Sequence, residues 1–149
     1  MTITDLVAPE AILPALKVNS KKQALQELAA KAAELTGQNE RAVFEVLLQR
    51  EKLGTTAVGY GVAIPHGKLP KLEKLFGLFA RLERPIDFEA MDGQPVDLVF
   101  LLLQPEADGT GDRLGALASI ARELRDPKIA AALRQARSTA EMYRALTAN

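Results

Sequence analysis

Apolar positions recur at helical spacing along the first third of the chain. Between residues 20 and 35, Ala24, Leu25, Leu28, Ala32 and Leu35 share a face, Ser20 stands where an N-cap belongs and Gly37 where the helix stops. A second helix is predicted over 39–53, with Val43, Phe44, Val46, Leu47 and Leu48 on or near one face and Gly54 at its end. Arg50 interrupts that pattern. Seven residues after Val43 and three after Leu47, it lies beside the apolar stripe in the last turn. An arginine on the core side needs an anion or a set of acceptors to offset its desolvation.

The middle third changes period. Residues 58–65 are rich in glycine and β-branched side chains, 75–82 mix Phe, Leu and Ala, and 96–103 are nearly all apolar, so three strands are predicted there. Their continuous apolarity implies a sheet covered on both faces, with Asp92-Gly93 and Gln94-Pro95 turning the chain between the last two. Residues 12–16 read as a further strand, interrupted by Pro14. After a loop at 107–112, Leu114, Leu117, Ala121 and Leu124 form a helical stripe; Asp126-Pro127 and then Ser138 with Glu141 mark two more helix starts. With no repeat, low-complexity tract or linker, residues 1–149 form one α/β domain, a mixed central sheet sandwiched by helices rather than a regular βαβ repeat.

Composition narrows the chemistry. At 149 residues, 48% hydrophobic and 26% charged, the chain has the make-up of an ordinary globule. Nineteen basic side chains balance nineteen acidic ones, which removes the general electrostatic attraction that nucleic acid or an anionic membrane requires. The absence of cysteine excludes disulfides, thiolate nucleophiles and iron–sulfur clusters, and a single histidine excludes sites needing two imidazoles. No metal and no cofactor is expected. The N-terminal residues lack a basic segment followed by an apolar one, and no run approaches the ~20 apolar residues of a membrane span, so a cytoplasmic, unprocessed chain is expected.

His66 is then the one imidazole available. It follows an apolar stretch in Gly61-Val-Ala-Ile-Pro-His-Gly67, whose Pro and Gly bend the chain end and favour exposure to a cleft. Two readings stand: a histidine satisfied by local hydrogen bonds, or a neutral imidazole serving as nucleophile, acid or base. Upstream, the glycine-rich segment from Gly54 through Thr55, Thr56 and Gly59 to Gly61 offers backbone N–H groups and two hydroxyls to an anion, or simply turns. It is neither a nucleotide-binding loop nor a dinucleotide fingerprint. Asp87, Glu89, Asp92 and Asp97 are expected as solvated turn residues rather than a magnesium site, and Lys68, Lys71 and Lys74 as a solubilising loop.

Arg50-Glu51-x-x-Gly54-Thr-Thr followed by Val58-Gly59-x-Gly61-Val-Ala-Ile-Pro-His66-Gly-Lys68 closely resembles the active-site segment of enzyme IIA domains of the bacterial phosphoenolpyruvate-dependent sugar phosphotransferase system, in the mannitol/fructose-specific family. Ser20-Lys-Lys-x-Ala24, Pro85-Ile-x-Phe88 and Pro95-Val-Asp-Leu98 extend the resemblance over nearly the whole chain. It implies a histidine phosphocarrier rather than a turnover enzyme: His66 accepts a phosphoryl group from a small HPr-type protein, Arg50 contacts the phosphate, and Thr55, Thr56 and Gly61 are candidates to do so. The apolar rim around His66, including Val62, Ile64 and Leu69, is the expected docking face.

One departure stands out. Where the family commonly carries a second histidine, in a His-Leu-x-x-Leu pattern, this chain has Arg113-Leu114-Gly-Ala-Leu117. Arg113 therefore replaces an imidazole with a guanidinium at a helix start, where phosphoryl oxygens can still be bound. That replacement, together with Gly67-Lys68 after the histidine and no fused IIB or IIC segment, points to the nitrogen-type regulatory branch, acting on target proteins through its phosphorylation state. The alternatives are a fructose- or mannitol-specific component that passes phosphate to a IIB protein, and a phosphate-independent interaction module with a decayed site.

Overall fold

The most apolar stretch of the chain becomes the middle of a sheet. A computed structural model describes residues 3–106 and 112–147, and the backbone alone for 112–114. In chain order the elements are α1 (Ile3–Leu6), a 3-10 turn (Pro9–Ala11), β1 (Ile12–Leu16), α2 (Lys21–Thr36), α3 (Glu40–Leu53), β2 (Ala57–Gly59), β3 (Val62–Ala63), β4 (His66–Leu69), β5 (Phe76–Ile86), β6 (Val96–Pro105), α4 (Asp112–Leu124), α5 (Pro127–Gln135) and α6 (Thr139–Thr147). The mixed α/β fold matches the expected class. The loop expected over 107–112 lies outside the described residues except for Asp112, which opens α4.

Strand order is β1-β5-β6-β3-β2, with β4 also on β6. The β5–β6 and β2–β3 pairs are antiparallel, while β1 runs parallel to β5, and β3 and β4 run parallel to β6. Leu98 through Leu103 of β6 are all fully buried, as a strand covered on both faces must be. Two groups of helices supply that cover: α2 packs on α3, and α1, α4, α5 and α6 pack among themselves.

The expected strand over 58–65 is instead a hairpin followed by an interrupted strand. Tyr60 and Gly61 both have positive φ, 60° and 78°, and form a two-residue turn whose twist suits the flanking strands. A Cβ at Gly61 would also come within 2.6 Å of Arg134 Nη2 and push that guanidinium from its place against Asp97. After the turn, Val62 pairs with Leu98 and His66 with Leu102, an unchanged register, so β3 and β4 lie end to end along one edge of β6. Pro65 makes the break because it has no N–H; its carbonyl still accepts from Leu102 N at 2.9 Å. Lys68, expected in a loop, therefore belongs to a strand, and the histidine opens that strand instead of ending one.

The predicted caps are present. Ser20 Oγ accepts from Gln23 N and Asp126 Oδ1 from Lys128 N, while Asn39, expected as the first residue of its helix, instead caps it by accepting from Ala42 N. Ser138 Oγ accepts from Glu141 N, and the Glu141 carboxylate returns to Arg137 N. Among the described side chains of α4 the buried ones are Ala116, Ile120 and Leu124; of the predicted stripe Leu124 is buried, Leu117 and Ala121 are partly buried, and the Leu114 side chain lies outside the described residues. Small and large apolar residues alternate there, so the sequence pattern leaves the phase of that helix ambiguous. Among the described residues no helix is long and apolar enough to cross a membrane.

Candidate functional site

His66, half-buried, has both ring nitrogens engaged. Nδ1 lies 2.8 Å from the carbonyl oxygen of Ile64. A carbonyl oxygen only accepts, so Nδ1 carries the proton and Nε2, unprotonated, presents a lone pair. Arg50 Nε donates to that lone pair at 3.3 Å, and Arg50 Nη1 donates to Gly54 O at 2.8 Å. Burial pushes the imidazole pKa below its ordinary 6.5; the Ile64 carbonyl and the Glu51 carboxylate work against this, and the Arg50 charge works with it. The resting site is a neutral imidazole with its nucleophilic nitrogen next to a guanidinium.

Close packing puts Arg50 there. Gly67 lies under α3, and a Cβ at that position would come within 2.1 Å of Val46 Cγ1. Without a side chain at residue 67 the helix settles directly on β4, and Arg50, one turn beyond Val46, reaches the ring of the residue preceding Gly67. The next residue of α3 is a buried carboxylate, Glu51. It accepts from Thr56 N at 2.9 Å, from the Thr56 hydroxyl at 2.6 Å and from Lys21 Nζ at 3.2 Å. Lys21 also pairs with Glu89 at 2.8 Å and lies 5.3 Å from the Phe88 ring centroid. Burial pulls the Lys21 ammonium down, but the Glu89 and Glu51 carboxylates outweigh it and hold its pKa above the ordinary value.

Over residues 5–149 the sequence matches the family described as phosphoenolpyruvate-dependent sugar phosphotransferase system, EIIA 2. The chain belongs to this family. It is similar to the nitrogen regulatory protein of Bradyrhizobium diazoefficiens, 82% identical over 146 residues that cover 98% of this chain and 95% of that one. Among solved structures, the nitrogen regulatory protein IIA-Ntr from Neisseria meningitidis superposes with a TM-score of 0.91 at 36% identity, covering 97% of this chain and 99% of that one. The IIA mannitol structure from Escherichia coli shares the fold, with a TM-score of 0.79 at 21% identity over 95% and 99% of the two chains.

Of the residues nominated from sequence, the EIIA chain brings Arg50 and His66 together. The Thr56 hydroxyl is committed to Glu51, and the Thr55 hydroxyl donates to Phe88 O while accepting from Ala57 N. The Gly61 carbonyl accepts from Leu98 N, four positions along β6 from the partner of His66, a separation of about 13 Å. Arg113 falls in the first turn of α4, and its side chain lies outside the described residues.

Val62, Ile64 and Leu69, expected as an apolar rim, are fully or almost fully buried core residues. Val62 and Leu69 pair with β6 and Ile64 lies between them, bonded to Thr56 O, and nothing in their composition separates rim from core. Asp97 is half-buried and gripped by Arg134 through Nε and Nη2, rather than solvated. Among the described residues no group of three or more His, Asp or Glu could hold a metal ion. Glu51 and Lys21 were given no role from sequence. The signal was present: Val43, Leu47 and Glu51 follow i, i+4, i+8 on α3 and are its three buried residues.

Proposed function

We propose that this EIIA chain is a histidine phosphocarrier that takes its phosphoryl group on His66 Nε2 from an HPr-type protein and acts in the cytoplasm as a nitrogen-type regulator. The observation that carries the reading is the division of labour on the ring, with Nδ1–H held by the Ile64 carbonyl and the unprotonated Nε2 accepting only a long hydrogen bond from Arg50. In the transfer that lone pair attacks the phosphorus of the donor's phosphohistidine. The donor P–N bond breaks, its electron pair returns to the donor ring, and the new bond forms at Nε2. The His66 ring keeps its Nδ1 proton and gains positive charge, which the Ile64 carbonyl stabilises. A guanidinium already 3.3 Å from Nε2 needs only a small swing to fork onto two phosphoryl oxygens.

Arg113, at the start of α4, is in this reading a second cation for the phosphoryl oxygens, in place of a second imidazole. The 82% identity to a nitrogen regulatory protein favours regulation through protein partners over delivery of phosphate to a sugar-specific component. Incubation with enzyme I, an HPr-type carrier and phosphoenolpyruvate, followed by intact mass measurement, tests the proposal. Addition of one phosphoryl group in the wild type and none in His66→Ala is expected, and an unmodified wild type overturns it.

A further inference from the structure

The phosphoryl transfer gives the buried carboxylate of Glu51 no direct part, because its polar contacts go to Thr56 and Lys21. Thr56 in turn contributes its carbonyl to the strand that carries the histidine, accepting from Ile64 N at 3.0 Å. The other end of the Ile64 residue, its carbonyl, is the acceptor of His66 Nδ1–H at 2.8 Å. We propose that Glu51, with Lys21 as its counter-charge, is a positioning residue that fixes the tautomer of His66 through Thr56 and Ile64. For its functional consequence this rests on the phosphoryl-acceptor reading.

A single turn of α3 governs both nitrogens of the ring: Arg50 reaches Nε2 directly, and Glu51 reaches Nδ1 through the framework. The linkage is stiff. Thr56 N–H and hydroxyl are both tied to one carboxylate, so the Thr56 peptide has a fixed orientation relative to the helix that holds Arg50. Ile64 precedes Pro65, which confines its backbone to extended geometry, so fixing its N–H also fixes the direction of its carbonyl. A carboxylate at the third buried position of α3 is a poor choice for packing alone. An apolar side chain there needs no counter-charge, and buried ion pairs contribute little net stability. Outer partners of this kind set the tautomer and orientation of functional histidines in metal sites by the same means.

The test reads the tautomer in the unphosphorylated protein, by long-range proton–nitrogen correlation spectra of ¹⁵N-labelled protein above the titration range of the ring. Wild type is expected to show the Nδ1–H form. Glu51→Ala is expected to lose that dominance, with phosphorylation of His66 falling about tenfold per folded molecule. Glu51→Gln, which keeps an acceptor for Thr56, is expected to recover most of both. Thr56→Val, which removes one of the two Thr56 ties, gives an intermediate loss and serves if Glu51→Ala does not fold. An unchanged tautomer in folded variants, or a Gln variant no better than Ala, overturns the proposal. A wild type that shows the Nδ1–H form yet takes no phosphate overturns the phosphocarrier reading and leaves the tautomer assignment standing.

Discussion

At the residue scale, the arrangement around His66 makes one titration visible in both stability and reactivity. Its pKa is lower in the folded chain than the ordinary 6.5, first because the ring is buried and then because Arg50 lies beside it, against the opposing pull of the Ile64 carbonyl and Glu51. Between the folded and unfolded pKa values the unfolded chain binds more protons, so stability rises with pH across that window. The contribution is fully present above about 6.5 and is lost as pH falls through the folded pKa. Subtracting the pH dependence of the urea midpoint of His66→Asn from that of wild type is expected to leave a step of this sign in that window. Arg50→Met removes a cation from Nε2 and is expected to move the ring pKa, followed by nuclear magnetic resonance, up toward the ordinary value. Phosphoryl acceptance of the wild type is expected to stay flat with pH until the folded pKa is reached, and then fall as the lone pair is protonated.

At the scale of elements, the site depends on how closely α3 sits on β4, and Gly67 sets that distance. Gly67→Ala is expected to destabilise the fold by about 1–3 kcal/mol through overpacking and to slow phosphorylation by moving Arg50 off Nε2. Val46→Ala in the same chain removes the atom that clashes, so the double variant is expected to be less affected than the sum of the two changes. Urea denaturation and initial phosphorylation rates of the four proteins check this. Much of the element level was legible in the sequence: Ser20, Asp126 and Ser138 cap where local chemistry requires, and the helical phase of Arg50 conflicts with its charge. What stayed hidden depends on pairs distant in sequence. The Tyr60-Gly61 turn carries tyrosine at a position where asparagine or glycine would have announced it, and it is held by Asp92 and Arg134 from two other segments. The continuation of β3 into β4 past Pro65 is visible only in the register with β6. Glu51 shares the helical phase of Val43 and Leu47, but an acidic residue near a helix end reads as surface until its partners at Lys21 and Thr56 are known.

Across the whole molecule, the two groups of helices meet the sheet on different terms. The side with α2 and α3 holds Arg50, Glu51 and Lys21, whereas the attachment of α5 depends on a cation in β5. Arg81, in β5, donates through Nε to Pro14 O at 3.0 Å and through Nη1 to Leu133 O at 2.9 Å and Ala136 O at 2.8 Å. One guanidinium thus joins β1 and β5 to the C-terminal end of α5, where the helix dipole and the unpaired last carbonyls favour positive charge. No carboxylate shares it in these contacts, so Nε and Nη1 both donate to backbone carbonyls. Arg81→Met retains most of the stem and removes the donors, leaving the carbonyls at the end of α5 without this partner. Hydrogen bonds to a charged group contribute about 1.5–3 kcal/mol each, but their losses overlap at one site, so a fall in unfolding free energy of about 2–3 kcal/mol is expected. The His66 site shares no contact with Arg81, so the phosphorylation rate per folded molecule is expected to stay at the wild-type value. Urea denaturation and a phosphorylation time course on the same preparation separate the two effects. A slowed rate in fully folded Arg81→Met would mean instead that the α5 side of the sheet is coupled to the imidazole, through β5 and β6, more tightly than their hydrogen-bond register alone provides.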